Sequence, residues 1–374
     1  MPSLAEALPA DWQDGHFALR VEGPEGPQAI ALARGVAFDM TPAFGTVSAW
    51  LNAPDPVAAI AAKGKPVQLD LGAARPLAPF DLQALKACGV TYARSMLERV
   101  IEERCRGDAS QAETIRAEIR GIIGDDLASL VPGSKEAAAL KQNLVERGWW
   151  SQYLEVGIGP DAEVFTKGQP LSAVGTGAKI GVHPSSAWNN PEPEVVLAVS
   201  GQGEIVGAAL GNDVNLRDVE GRSALLLGKA KDNNAACAIG PAIRLFDEGF
   251  TLEDIRQAEI ALRITGTDGF SLEEAGMVGI ISRDPTDLVG QMINPHHQYP
   301  DGAALFLGTP FSPSKDRDKP GMGFTHHVGD TVRIASRRLG ALENTVDRTD
   351  ACPPWRFGIT ALMHNLAKRG YLNA

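Results

Sequence analysis

The chain has little that would tie it to a membrane, to nucleic acid or to an oxidising compartment. Its 374 residues include only four cysteines, Cys88, Cys105, Cys237 and Cys352. They are scattered and form no C-x-x-C pair, so they read as small buried thiols of a protein kept in reducing surroundings. No apolar run approaches the length of a membrane span. The opening MPSLAEALPADWQD lacks the basic start and apolar stretch of a secretory leader. The expectation is a cytoplasmic protein without a membrane partner. Excess positive charge is missing as well: 35 basic residues face 46 acidic ones, a net −11, and no nucleic-acid partner is expected. Internal repeats and low-complexity segments are absent. GQGEIVG at 201–207 has the wrong glycine spacing for a dinucleotide fingerprint and runs into another strand, so it reads as a hairpin turn.

What is present is an ordinary globular composition, 44% apolar, in a chain long enough for one large domain and a smaller companion. FALRVEG and QAIALARGVAFDMT read as short strands around a GPEGP turn. Prolines 54, 56, 66, 76 and 79 then punctuate the chain. The expected division is a small β-rich N-terminal domain, 1–79, and a main domain, 80–374. TYARSMLERVIEERCRG has helical spacing and stops at Gly107. Ser110 and Glu113 announce a second helix by their capping-box spacing, and a third starts after Ser134 and ends before Gly148. Beyond WWSQYLEVGIG the pattern turns to strands, with a helix near 285–292 and a terminal one at 357–369. Strands outnumber the helices available to cross between them, so the class is α+β with a mixed or mostly antiparallel sheet.

The chemistry concentrates between Asn189 and Pro241. Glu192 and Glu194 stand two apart at the mouth of a β-branched run, Asp213 ends a second run, and Lys231 follows. Residues two apart on a strand share a face, and a hairpin would return Asp213 to the same end of the ribbon. Three carboxylates so placed, with no cysteine or histidine in the spacing, suit magnesium, manganese or calcium better than zinc. Singly, each Glu is equally well a solvated strand charge; the rigid Asn189–Asn190–Pro191 entry and the apolar flanks favour a ligand role. Lys231 sits in a segment rich in Ala, Asn and Gly rather than on an ordinary charged helix face. A lysine partly desolvated near a cation is a candidate base. The pairs His296–His297 and His326–His327 read as surface or loop histidines, since neighbours on a strand point to opposite faces.

PEPEVV, GNDVNLRDVEG, Lys231 with Gly240–Pro241, DLVGQM, LFLGTPFSP, VGDTVRI and LGALENTV occur in an order that resembles the fumarylacetoacetate hydrolase family, over about residues 82–374. The resemblance implies a mixed β-roll of that family's type, normally a homodimer, carrying a divalent cation, usually Mg2+. It implies Glu192, Glu194 and Asp213 as metal ligands and Lys231 as the active-site lysine. Arg217, Thr309 and Asn190 are implied as substrate contacts. Where the C–C hydrolases of the family carry a His–Glu dyad on a helix, TYARSMLE puts Ser95 at the histidine position and keeps Glu98. Without an imidazole to activate water, simple acylpyruvate hydrolysis is disfavoured. The pattern as a whole resembles the branch that dehydrates 2-keto-3-deoxy sugar acids. It implies conversion of a 2-keto-3-deoxypentonate of xylonate or arabinonate type to 2-oxoglutarate semialdehyde (2,5-dioxopentanoate) through a metal-stabilised enolate. Lys231 would then be the base and Glu98 the acid, with Ser95 positioning it. The alternatives are a metal-dependent C–C hydrolase of acylpyruvates or 2,4-diketo-3-deoxy sugar acids, and a β-roll that has lost its chemistry.

Overall fold

Strand-forming runs settle into two main sheets that face one another across an apolar layer, and a third sheet of only two strands, Asn189–Asn190 and Asn215–Leu216. The computed structural model describes residues 3–106, 108–112, 114–115, 117, 130–313 and 315–372, the side chains of 94, 95 and 109 excepted. In chain order the strands are β1 His16–Gly23, β2 Gly26–Ala33, β3 Val36–Asp39, β4 Lys65–Pro66, β5 Pro76–Leu77 and β6 Ala84–Gly89. They continue as β7 Glu163–Gly168, β8 Lys179–Val182, β9 Asn189–Asn190, β10 Pro193–Val199, β11 Ile205–Asp213 and β12 Asn215–Leu216. The last six are β13 Cys237–Leu245, β14 Glu259–Thr265, β15 Ser271–Met277, β16 Ala303–Phe306, β17 Thr331–Ser336 and β18 Gly340–Arg348.

The larger sheet runs β4-β3-β2-β1-β13-β11-β10-β16-β6-β7, with β5 on β1, and the smaller runs β15-β14-β17-β18-β8. Pairing is parallel at β16–β6 and β18–β8 and antiparallel at β10–β11 and β11–β13, so both sheets are mixed, as expected. The expected boundary near Pro79 does not interrupt the hydrogen bonding: Phe17 and Ala18 of β1 pair with Arg244 and Ile243 of β13. The division at residue 79 is kept as a proposal about how the chain parses.

β10 is buried along its whole length, which is what a central strand covered on both faces requires. Val195, Leu197 and Val199 point into the layer shared with the smaller sheet, and Val196 and Ala198 into a second layer that includes Trp50 and Ile60. The period of two thus builds two cores from one strand. GQGEIVG is the expected turn between β10 and β11.

The helix expected from TYARSMLE spans Ala93–Cys105, and the one after Ser134 spans Lys135–Glu146, where the Ser134 hydroxyl accepts from the Ala137 N–H. Both pack with Gln152–Ile158 around Val100, Leu144, Leu154 and Trp188. That third helix, capped by Ser151, lies inside WWSQYLEVGIG, and strands begin beyond it at β7, as expected. Of the second expected helix, Glu113 lies outside the described residues, and 109–111 is a 3-10 turn. Among the described residues all four cysteines are buried and none forms a disulfide, and no helix is long and apolar enough to cross a membrane.

Candidate active site

Hairpin geometry assembles the acids. Cross-strand partners share a face, and Glu194 pairs with Gly211. Two residues further along each strand, Asp213 donates its N–H to the Glu192 carbonyl at 3.1 Å. Glu192, Glu194 and Asp213 therefore stand together at the open end of the ribbon. One carboxylate oxygen from each lies within 4.8 Å of the others, and all three residues are buried. Gly211 leaves room behind them, since a Cβ there would come to 2.3 Å from Phe306 and 2.5 Å from Val196.

Buried cations surround the cluster. Lys231 Nζ donates to Glu192 Oε2 at 2.5 Å and to Asp213 Oδ2 at 3.1 Å. Lys231 closes the helix Leu227–Lys231. It is not on an ordinary charged helix face, as expected: the residue is helical but buried, and the turn aims its side chain inward. Lys167 on β7 holds Asp213 Oδ1 at 2.8 Å and donates to the Lys231 carbonyl at 2.5 Å. Arg99 donates to Glu192 Oε1, and its other terminal nitrogen lies 2.6 Å from Glu102 and 3.0 Å from Glu220. The Gly308 N–H donates to Glu194 Oε2 at 2.7 Å. Gly308 has φ +91°, and a Cβ there would stand 2.1 Å from Thr91 Oγ1, so only glycine allows this approach.

Five buried carboxylates, Glu102, Glu192, Glu194, Asp213 and Glu220, thus meet four buried cations, Arg99, Lys167, Arg217 and Lys231. The imbalance is visible in the acids. Burial opposes ionisation of Glu192, yet Lys231 and Arg99 outweigh it and bring its pKa down to about 2. At Glu194, burial, Asp213 and Glu192 outweigh the pull of Lys231 and the Gly308 N–H and push its pKa well above the usual carboxylate range. Burial works against the charge on Lys231, but Asp213, Glu192 and Glu220 prevail and raise its pKa above the ordinary lysine value. An all-oxygen donor set with uncompensated negative charge fits a hard divalent cation. No histidine or cysteine joins the cluster among the described residues.

The other expected residues are placed as follows. Glu98 lies on the face of the Ala93–Cys105 helix that meets Arg217, whose Nη2 is 3.2 Å from its carboxylate. The Ser95 side chain lies outside the described residues. Arg217 spends Nε on Glu102 at 2.6 Å and Nη1 on the Pro313 carbonyl at 3.4 Å, and stacks over Trp188 at 4.6 Å. The Thr309 hydroxyl sits between the carbonyls of Phe311 at 2.6 Å and Pro193 at 3.2 Å. Its proton is committed to main chain, and a substrate contact would use its oxygen as acceptor. Asn190 donates to the Pro191 carbonyl at 2.9 Å, while its buried Oδ1 has no partner among the described residues. His296 and His297 are exposed, but His326 is buried in its loop, its ring centre 5.0 Å from that of Phe324.

Five participants, Arg99, Glu102, Glu163, Lys167 and Glu220, were not foreseen. Lys167 in EVFTKG and Glu163 at the head of the same strand carry no local signal beyond a charge in a strand-forming run. Glu163 is partly exposed as a residue, yet its carboxyl group lies inside the protein. Burial first, then Glu220, raises its pKa to about 7 against the pull of Arg99 and Lys231. A groove of about 800 Å3 beside Arg20, Ala74 and Thr176 contains none of these residues.

Residues 158–347, half of the chain, match the family described as fumarylacetoacetate (FAA) hydrolase, C-terminal. The chain belongs to this family. Within it, the chain is similar to a probable 2-keto-3-deoxyxylonate dehydratase of Haloferax volcanii, 31% identical over 194 residues, which are 52% of this chain and 63% of the relative. It is also similar to a 2-dehydro-3-deoxy-D-arabinonate dehydratase of Saccharolobus solfataricus, 30% identical over 155 residues, 41% of this chain and 51% of the relative. The matched part therefore spans between half and two thirds of these relatives. Among solved structures, a 2-keto-3-deoxy-D-arabinonate dehydratase complexed with magnesium and 2,5-dioxopentanoate superposes with a TM-score of 0.60 at 22% identity, over 89% of this chain and 98% of its own. A fumarylacetoacetate hydrolase from psychrophilic Exiguobacterium antarcticum does so at 0.58 and 15%, over 89% and 99%. These likenesses establish the family's fold for this chain.

Proposed function

We propose that the protein is a divalent-metal-dependent hydro-lyase that converts a 2-keto-3-deoxypentonate to 2,5-dioxopentanoate and water. The observation that carries the reading is the meeting of Glu192, Glu194 and Asp213 with Lys231, whose amine touches two of the three acids. The relatives named above, two dehydratases of 2-keto-3-deoxy acids, supply the substrate class.

Glu192, Glu194 and Asp213 would hold the ion, for which Mg2+ is the expected species and Mn2+ or Ca2+ the alternatives. When bound, a dication would supply Lewis-acid polarisation of the substrate's 2-keto oxygen and neutralise the acids that keep Lys231 charged. Lys231, once deprotonated, would take a proton from C3. An acid must deliver a proton to the C4 hydroxyl as its C–O bond breaks, so that water leaves and a C3–C4 double bond forms. Two candidates could supply that proton: Glu163, whose buried carboxyl holds its proton to higher pH than an ordinary carboxylate, and Glu98, which is held by Arg217. A proton then leaves C5 and one returns to C3, and the resulting enol passes its hydroxyl proton to C4 to give the C5 aldehyde. Arg217, Thr309 and Asn190 are kept as proposed substrate contacts, the bare Oδ1 of Asn190 being suited to a substrate hydroxyl. Ser95 is kept as the residue that positions Glu98. We also propose a homodimer or larger homo-oligomer in the cytoplasm.

The test is to incubate the protein and magnesium with a panel of 2-keto-3-deoxy acids and couple the product to a semialdehyde dehydrogenase. Reduced nicotinamide should appear with one or more pentonates. Pyruvate in its place would support the C–C hydrolase reading.

A further inference from the structure

Glu192 is held on both oxygens by different residues, and the guanidinium on one of them is braced by two further carboxylates. Arg99 donates to Oε1. The same guanidinium is fixed by Glu102 at 2.6 Å, on its own helix, and by Glu220 at 3.0 Å, on the helix Arg217–Glu220. Glu102 is fixed in turn, since its other oxygen receives Arg217 Nε at 2.6 Å. Lys231, on Oε2, hangs from a flexible stem and is shared with Asp213. Arg99 is therefore a rigid cap on one oxygen and Lys231 a movable one on the other.

We propose that Arg99 sets the ion preference of the site by keeping Oε1 of Glu192 occupied, so that this carboxylate offers a cation a single oxygen. The inference rests on Glu192 being a metal ligand. Mg2+ demands near-ideal octahedral geometry and keeps several waters, whereas Ca2+ accepts six to eight oxygens and takes carboxylates through one oxygen or both. A ligand limited to one oxygen suits the smaller ion and leaves positions open for a chelating keto acid. A lysine at 99 keeps the charge but lacks the fork that reaches Glu192 and both anchors at once, so it would free Oε1 for two-oxygen binding.

The experiment is calorimetric titration of the ligand-free protein with magnesium chloride and, separately, calcium chloride. In Arg99→Lys the Mg2+ affinity should fall ~10–100-fold, the usual cost of losing a residue that orients a ligand. Ca2+ affinity should fall by less, moving the Mg2+/Ca2+ ratio by about tenfold toward calcium. Equal losses for both ions would mean that Arg99 only supports the fold, and would overturn the proposal. Should Arg99→Lys not fold, Glu220→Gln removes one anchor while leaving Arg99 and Glu192 in place. It should move the ratio in the same direction by a smaller factor, and an unchanged ratio overturns the proposal. If the unaltered protein binds neither ion, the ligand reading of Glu192 itself is wrong, and the proposal falls with it.

Discussion

Lys231 and Glu192 form a buried pair at 2.5 Å, and the amine that would serve as base is thus tethered to a residue that would hold the metal. If these residues take those roles, ion binding and readiness of the base would be one event. Whatever draws Glu192 and Asp213 toward a cation loosens their grip on the ammonium.

Replacing Lys231 with Met should leave a folded, metal-binding protein without turnover. A general base contributes ~10²–10⁴-fold, so kcat in the coupled assay should fall by at least that. Loss of an ammonium from the cluster should also leave Mg2+ binding intact or tighter in calorimetry. Undiminished turnover would reject the base assignment.

Asp213→Asn and Glu194→Gln should each abolish magnesium binding measured by titration. A chelator should silence the unaltered protein, and added Mg2+ should restore it. The two substitutions should differ in stability. Asp213 faces two lysines, and removing one partner of a buried ion pair costs ~3–5 kcal/mol. Glu194, by contrast, is destabilised by burial and its acidic neighbours, so its amide should melt at the same temperature or higher.

Glu163 gives the pH dependence. Its carboxyl is raised to about 7, so the folded state binds this proton more tightly than the unfolded chain does. Stability contributed by the protonated form is present at low pH and declines as pH rises from the ordinary carboxylate range through about 7. If Glu163 donates the proton, kcat should fall over the same alkaline limb. Glu163→Gln should lower kcat ~10²–10⁴-fold and erase that limb, while an unchanged pH–rate profile would return the donor role to Glu98.

Gly308→Ala probes the backbone that supports Glu194. Its φ of +91° and the 2.1 Å approach to Thr91 Oγ1 leave a methyl group nowhere to go. A loss of about 1–3 kcal/mol is expected by thermal melting, together with weaker magnesium binding as the Gly308 N–H leaves its carboxylate.

The three acids were legible because their assembly is local: an i, i+2 pair, one tight turn and a return strand, each with its own sequence signal. The helices after Tyr92 and Ser134 were legible through period and caps. Arg99, Lys167 and Glu220 were not, because what makes them functional is a partner on another element. Arg99 and Glu102 do share the i, i+3 spacing that flags a helix-face ion pair, but nothing in the chain says that the pair is buried or that Glu192 waits beyond it. The register of Phe17 on Arg244 was equally hidden, since strands far apart in the chain choose partners by packing that no local pattern records.

The β10–β11 ribbon has a further consequence for how the chain reaches its native state. Like charges that face one another across a hairpin oppose closure, and here they crowd the end farthest from the turn at Ser200–Glu204. The ribbon should therefore zip from that turn and finish at the acids last, with Lys231 or a captured dication acting as the clasp. Magnesium added during refolding would then hasten the final closing step without altering the first.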